Sequence, residues 1–154
     1  MSELPAVSVI IPVYNVEKYL PKCLDSLLGQ TMANIEAVCV DDASTDRSGK
    51  ILEQYAARDG RVKFFSSDGN AGPGRARNLG LEKATGEYVM FCDPDDWFEP
   101  DAVETAYRRI AENGNDFAYF NTYIYMEDSG RTKRGRPSAG AFCRSLRQAG
   151  SPSA

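Results

Sequence analysis

The feature that most restricts how this 154-residue chain can fold is a set of short apolar runs that stop abruptly in polar residues. Val7-Ser8-Val9-Ile10-Ile11-Pro12-Val13 halts at Tyr14-Asn15, Ile35 to Val40 at Asp41-Asp42, and Tyr88 to Cys92 at Asp93-Pro94-Asp95-Asp96. Such β-branched and apolar runs predict strands buried on both faces, as in a parallel sheet. Between them the apolar period changes. Leu20, Cys23, Leu24, Leu27 and Leu28 recur at three and four residues, the spacing of one helical face. Ile51, Leu52 and Tyr55 mark a second helix with Asp46 as its cap, and Arg75 to Ala84 a third that Gly86 ends. Val103, Tyr107 and Ile110 mark a fourth, opened by Pro100. Val62 to Phe65 and Phe117 to Met126 supply two further strands. Strands alternating with helices predict one α/β domain around a mostly parallel sheet, and the length fits that.

Open α/β sheets bind ligands beyond the carboxyl ends of their strands. Here Tyr14, Asn15, Asp41, Asp42, Asp93, Asp95 and Asp96 all fall at such ends, so the fold brings them to one rim. Two unit charges about 4 Å apart repel by roughly 4 kcal/mol at an effective dielectric near 20, and a divalent cation relieves that. Oxygen-only ligands in a chain without histidine select Mg²⁺ or Mn²⁺ over zinc, with substrate phosphates completing the shell. Each piece also has a plainer reading. Asp41-Asp42-Ala43-Ser44 suits a turn followed by a helix cap, and Asp96 suits the start of the next helix. Asp93-Pro94-Asp95 is more specific, because a proline between two acids fixes the turn that aims both. Arg75 and Arg77 follow a Gly-rich loop at a helix start, where they oppose the helix dipole and so point to an anion. Neither a Gly-x-Gly-x-x-Gly turn after the first strand nor a Walker A loop is present.

Charge and cysteine usage remove other classes. Residues 1–126 carry 12 basic and 20 acidic side chains, a net of −8, which suits no nucleic-acid partner. Residues 127–154 carry 6 basic and 2 acidic, a net of +4, and leave a peripheral membrane contact open. This last segment is rich in Gly, Ser, Arg and Pro without a sustained period, and Gly150 to Ala154 reads as disordered. Cys23, Cys39, Cys92 and Cys143 lack metal-ligand spacing and fit a reducing, cytoplasmic setting. The absence of histidine excludes Ser-His and Cys-His catalysis. Neither a membrane span nor a secretory signal is expected.

In order and spacing, Val9-Ile10-Ile11-Pro12-Val13-Tyr14-Asn15, Asp41-Asp42-Ala43-Ser44-Thr45-Asp46, Asn70-Ala71-Gly72 with Ala76-Arg77-Asn78, Gly86-Glu87-Tyr88 and Asp93-Pro94-Asp95-Asp96 resemble glycosyltransferase family 2. The match runs from about residue 5 to 125. The resemblance implies the GT-A fold, a Rossmann-like, mostly parallel sheet flanked by helices. It also implies an inverting transferase that takes a nucleotide-diphosphate sugar, a UDP-sugar, and a saccharide or lipid-linked acceptor. Pro12, Tyr14 and Asn15 would line the nucleotide pocket, with Ser44 on the same donor side. Asp42 resembles the aspartate that accepts from uracil N3–H, and Arg77 the basic residue near the diphosphate. Asp93 and Asp95 form the D-x-D pair, Asp95 as direct metal ligand and Asp93 nearer the ribose or a metal-bound water. The metal stabilises charge on the leaving diphosphate. By family analogy the setting is polysaccharide synthesis in the cytoplasm, including the inner face of the membrane.

The expected division is a nucleotide-sugar-binding core over 1–126 and a basic segment over 127–154. The latter reads as a partly disordered tail or the start of an incomplete acceptor region, so the fold is expected to be C-terminally truncated. The family's acceptor-side base has no assigned counterpart. Glu127-Asp128 mimics the acidic pair, but Asp128-Ser129-Gly130 is turn chemistry between two strands. Two readings follow, an active transferase and a non-catalytic nucleotide-sugar-binding fragment. A nucleotidyltransferase or phosphatase fits less well, because the D-x-D follows the fourth strand and no Gly-rich basic loop lies near the N-terminus.

Overall fold

The first apolar run forms β1 (Val7–Val13), and every residue of it is buried. It lacks polar alternation because it lies mid-sheet with helices on both faces. In chain order there follow α1 (Leu20–Leu28), β2 (Ile35–Asp41), α2 (Ser48–Arg58), β3 (Val62–Ser66), α3 (Pro73–Lys83), β4 (Tyr88–Phe91) and α4 (Ala102–Asn113). Four short strands complete the order: β5 (Phe117–Ala118), β6 (Tyr123–Met126), β7 (Arg131–Arg134) and β8 (Phe142–Arg144). The computed structural model describes residues 4–118, 123–135 and 142–144. The main sheet runs β3-β2-β1-β4-β8-β5, and its first four strands are parallel, as an α/β fold requires. β8 pairs antiparallel with both β4 and β5.

Alternation along β1 divides the core. Val7, Val9, Ile11 and Val13 pack with Leu20, Leu24 and Leu27 of α1, Leu52 of α2, and Val103 and Ile110 of α4. Ile10 points the other way, with Val38, Val89 and Ala84, beneath α3. Gly80 lets α3 approach, since a Cβ there would run into Ile10 Cγ2. Polar groups inside are paired. Ser8 donates to Glu36 at 2.6 Å and accepts from Gly86 N–H at 2.8 Å, while Thr85 N–H donates to Glu36 at 2.7 Å. Buried Gln30 accepts from Val103 N–H at 3.0 Å and so satisfies one orphan donor at the start of α4.

Two elements differ from the sequence pattern. The strand predicted over Phe117 to Met126 is two strands in different sheets, β5 in the main sheet and β6 paired with β7. Residues 119–122 between them, like 150–154, lie outside the described residues. Helix α3 begins at Pro73 rather than Arg75, because Gly72 at φ 88° turns the chain into it and proline suits a first turn. The N-cap of α2 is Arg47 rather than Asp46; Asp46, one residue earlier, accepts from Ser48 N–H at 2.8 Å and braces the turn into the helix. The turn predicted at Asp128-Ser129-Gly130 joins β6 to β7, with Gly130 at φ 64°. β8 belongs to the segment that charge sets apart, yet it pairs with β4.

Candidate functional site

Three strand ends build the site. Past β1 the chain turns at Asn15, which holds a left-handed φ of 49°. Past β2 it turns at Ala43 with φ 62°, a conformation that costs an alanine roughly 1–2 kcal/mol. Strained backbone of this kind persists where the surroundings enforce it. Asn15 Oδ1 accepts from Thr45 N–H at 2.7 Å, and Asn15 N–H donates to Ser44 Oγ at 3.1 Å, so the two loops lock together. Past β4, Asp93-Pro94-Asp95 closes a turn in which Asp96 N–H donates to Asp93 O at 3.0 Å.

Between these ends and the start of α3 lies a cavity of about 340 Å³, lined by Pro12, Val13, Tyr14, Asp42, Asn70, Gly72, Pro73, Ala76, Arg77, Asp93, Pro94 and Asp95. Of the eight residues singled out in the sequence, Pro12, Tyr14, Asp42, Arg77, Asp93 and Asp95 line it. Asn15 and Ser44 do not; they brace the loops beside it. Asn70, Gly72 and Pro73 were not singled out for contact, although the polar, Gly-rich composition of their loop pointed to it.

Asp42 is almost completely buried, and its carboxylate organises one wall. Ser67 Oγ donates to it at 2.9 Å, Ala71 N–H at 3.0 Å and Gly72 N–H at 2.7 Å. Burial alone pushes this carboxyl up. The donors from Ala71, Ser67 and Gly72, with the Arg75 charge, outweigh it and hold the group below its ordinary value. Ala71 N–H also reaches the second oxygen at 3.2 Å, so three donors engage both carboxylate oxygens. Fixing Gly72 also fixes the start of α3, and with it Arg77.

Arg77 Nη2 donates to Asp93 Oδ1 at 2.7 Å, joining α3 to the end of β4. The pair is exposed enough that its stabilising contribution is about 0–1 kcal/mol; its effect is positional. Asp96 is pushed up by desolvation and then by the charges of Asp95 and Asp93, so negative charge is concentrated at this turn. Asp93 and Asp95 offer oxygen ligands suited to a hard divalent ion, which takes one or two protein carboxylates when phosphates and water supply the rest. Among the described residues no group of three His, Cys, Asp or Glu side chains forms a metal-holding cluster by itself.

The far side of the turn is aromatic. Lys22 Nζ lies 3.2 Å from the centroid of Trp97, and the Tyr125 ring meets Trp97 edge-on at 5.5 Å. Sequence reasoning gave these three residues no role, because nothing local links α1, the β4 turn and β6. Glu127 pairs with Lys18 at 2.7 Å, and hydrogen bonding to that ammonium holds its carboxyl low. Behind the site Cys23, Cys39 and Cys92 are free and buried, as small apolar side chains.

Comparison with known proteins agrees with this geometry. The profile of Glycosyl transferase family 2 matches residues 8–151. Glycosyltransferase GlyA of Streptococcus pneumoniae serotype 4 is 49% identical over 124 residues, which is 80% of this chain and 18% of that protein. The crystal structure of S. aureus TarS 1–349 in complex with UDP-GlcNAc superposes with a TM-score of 0.68 at 38% identity, over 72% of this chain and 32% of that one. The mannosyltransferase PcManGT from Pyrobaculum calidifontis, in complex with GDP-Man and Mn²⁺, gives a TM-score of 0.68 at 27% identity, over 75% of this chain and 35% of that one. The chain spans between 15% and 44% of the lengths of the curated relatives it matches.

Proposed function

From the membership of this chain in glycosyl transferase family 2, a family of glycosyltransferases, we infer that its cavity binds a UDP-sugar and that the sugar is transferred, with inversion, to a hydroxyl of a saccharide or lipid-linked acceptor. The observation that carries this reading is the convergence of Asp42, Arg77, Asp93 and Asp95 on one cavity beyond the carboxyl ends of parallel strands. Neighbours bound to UDP-GlcNAc and to GDP-Man with Mn²⁺ support a nucleotide sugar and a divalent ion as its contents.

In this reading Tyr14 and Pro12 flank the nucleobase, and Asp42, kept ionised by its donors, accepts from the base N–H. Arg77 lies against the diphosphate and exchanges part of its contact with Asp93 for phosphate oxygens. Asp95 and Asp93 would hold Mg²⁺ or Mn²⁺, which supplies Lewis-acid stabilisation of the charge on the departing diphosphate. Asn15 and Ser44 keep the first two strand ends in register. The acceptor attacks from the open side of the cavity, and a base on that side takes its proton. The core of residues 1–126 is proposed as the donor-binding unit.

The test is turnover. Incubation with UDP-sugars, Mn²⁺ and a panel of saccharide acceptors should release UDP, and NMR of the product should show the anomeric configuration opposite to that of the donor. Product with retained configuration would overturn the single-displacement reading. Binding of UDP-sugar without transfer or hydrolysis would identify a donor-binding unit without turnover.

A further inference from the structure

The hairpin β6–β7 carries a face that the rest of the fold leaves in solvent. Its register sets Ile124 opposite Lys133 and Met126 opposite Arg131, while Tyr123 meets Arg134 and Tyr125 meets Thr132. Directly opposed residues project to the same side and successive residues to opposite sides. One face therefore carries Ile124, Met126, Arg131 and Lys133. The other carries Tyr123, Tyr125, Thr132 and Arg134; Tyr125 contacts Trp97 and Lys22 of the body, while Tyr123 beyond it stays exposed. On the outward face Ile124 is 52% and Met126 46% exposed, and both cations are exposed.

The acids nearby do not cancel this charge. Glu127 is held by Lys18 at 2.7 Å and receives a hydrogen bond from Tyr19 Oη at 3.3 Å, which leaves Asp128 of the turn as the opposing charge. Arg134, opposite Tyr123, ends β7 on the other face of the hairpin. Aliphatic side chains set between cations on a flat two-stranded surface match the boundary between lipid headgroups and acyl chains.

We propose that this face docks on an anionic lipid bilayer, Ile124 and Met126 entering the headgroup region while Arg131 and Lys133 meet lipid phosphates. A long soluble polyanion fits less well, because it would meet the cations and leave Ile124 and Met126 without an apolar partner. One face of a two-stranded hairpin is also small beside a standard protein–protein interface of about 800 Å² per partner. Through Trp97 the hairpin packs on the segment that bears Asp93 and Asp95, so docking holds the cavity beside the membrane.

The experiment is flotation of the full chain with phosphatidylcholine vesicles, with and without about one third phosphatidylglycerol. The chain should float with the anionic vesicles, not the neutral ones, and less so as salt rises. At about fivefold per cation, R131Q/K133Q should lower the partition roughly 25-fold, and I124S/M126S should also lower it. Circular dichroism melts of each variant check its fold, and flotation without nucleotide keeps the outcome separate from the donor reading. Absence of flotation with anionic vesicles, or equal flotation of the variants, overturns the proposal. So does retention on heparin without flotation, which would assign the face to a soluble polyanion.

Discussion

Replacing Asp42 with asparagine tests the wall of the cavity at its most constrained point. The carboxylate takes Ser67 Oγ and Ala71 N–H on one oxygen and Gly72 N–H at 2.7 Å on the other, which Ala71 N–H also reaches at 3.2 Å. Asparagine keeps one acceptor oxygen and sets an amide donor against a backbone donor. If the oxygen stays with Ser67 and Ala71, the bond to Gly72 is lost. A hydrogen bond to a charged group contributes about 1.5–3 kcal/mol. For a chain of this size about 2–4 °C of melting temperature accompanies each kcal/mol, so Asp42→Asn should melt about 3–12 °C lower. The pH profile supplies a second readout. The folded carboxyl lies below its unfolded value of about 3.9, so the unfolded state binds the proton more readily. Its stabilisation is therefore complete above about pH 5 and lost as pH falls through the folded value. The variant should lack that part of the acid-side loss. Thermal melts by circular dichroism between pH 3 and 7 measure both. A variant that melts like the native chain, with an unchanged acid profile, would refute the clamp.

Three further outcomes follow from the geometry. Gly86→Ala places a Cβ 2.7 Å from Ser8 N and Oγ, where backbone cannot yield, and should destabilise by roughly 1–3 kcal/mol in urea unfolding. Arg77→Ala removes an exposed pair and should change stability by less than about 1 kcal/mol; calorimetry should show UDP affinity falling about tenfold or more, the worth of one charge-assisted bond. Asp95→Ala, at an exposed turn, should leave stability within about 0.5 kcal/mol while abolishing the dependence of UDP binding on Mn²⁺; persistent Mn²⁺ dependence would remove Asp95 from the metal site.

What the sequence made legible was what burial and chain direction dictate. β1 and β2 are covered on both faces, so they read as unbroken apolar runs, and their parallel order sends Tyr14, Asp42, Asp93 and Asp95 to one edge. Asp93-Pro94-Asp95 was legible because its rigidity is local. The contacts of Asp42 were not, since its donors Ser67, Ala71 and Gly72 lie 25 to 30 residues away and meet it only after β3 is laid down. Asn15 and Ser44 fall at strand ends like the lining residues, and only the folded loops show their polar groups directed at each other. Tyr123 to Met126 was joined to β5 because aromatic and β-branched residues favour strands without saying which sheet receives them. Trp97 drew no role for a similar reason, as its partners Lys22 and Tyr125 come from elements far apart in the chain.

Calorimetric titration with UDP, with and without Mn²⁺, tests the donor site most directly. The account predicts binding strengthened by Mn²⁺ and weakened by loss of Arg77 or Asp95. A folded chain that binds UDP in neither condition would contradict it, and would mean that this arrangement of strand ends and acids stands without a nucleotide site.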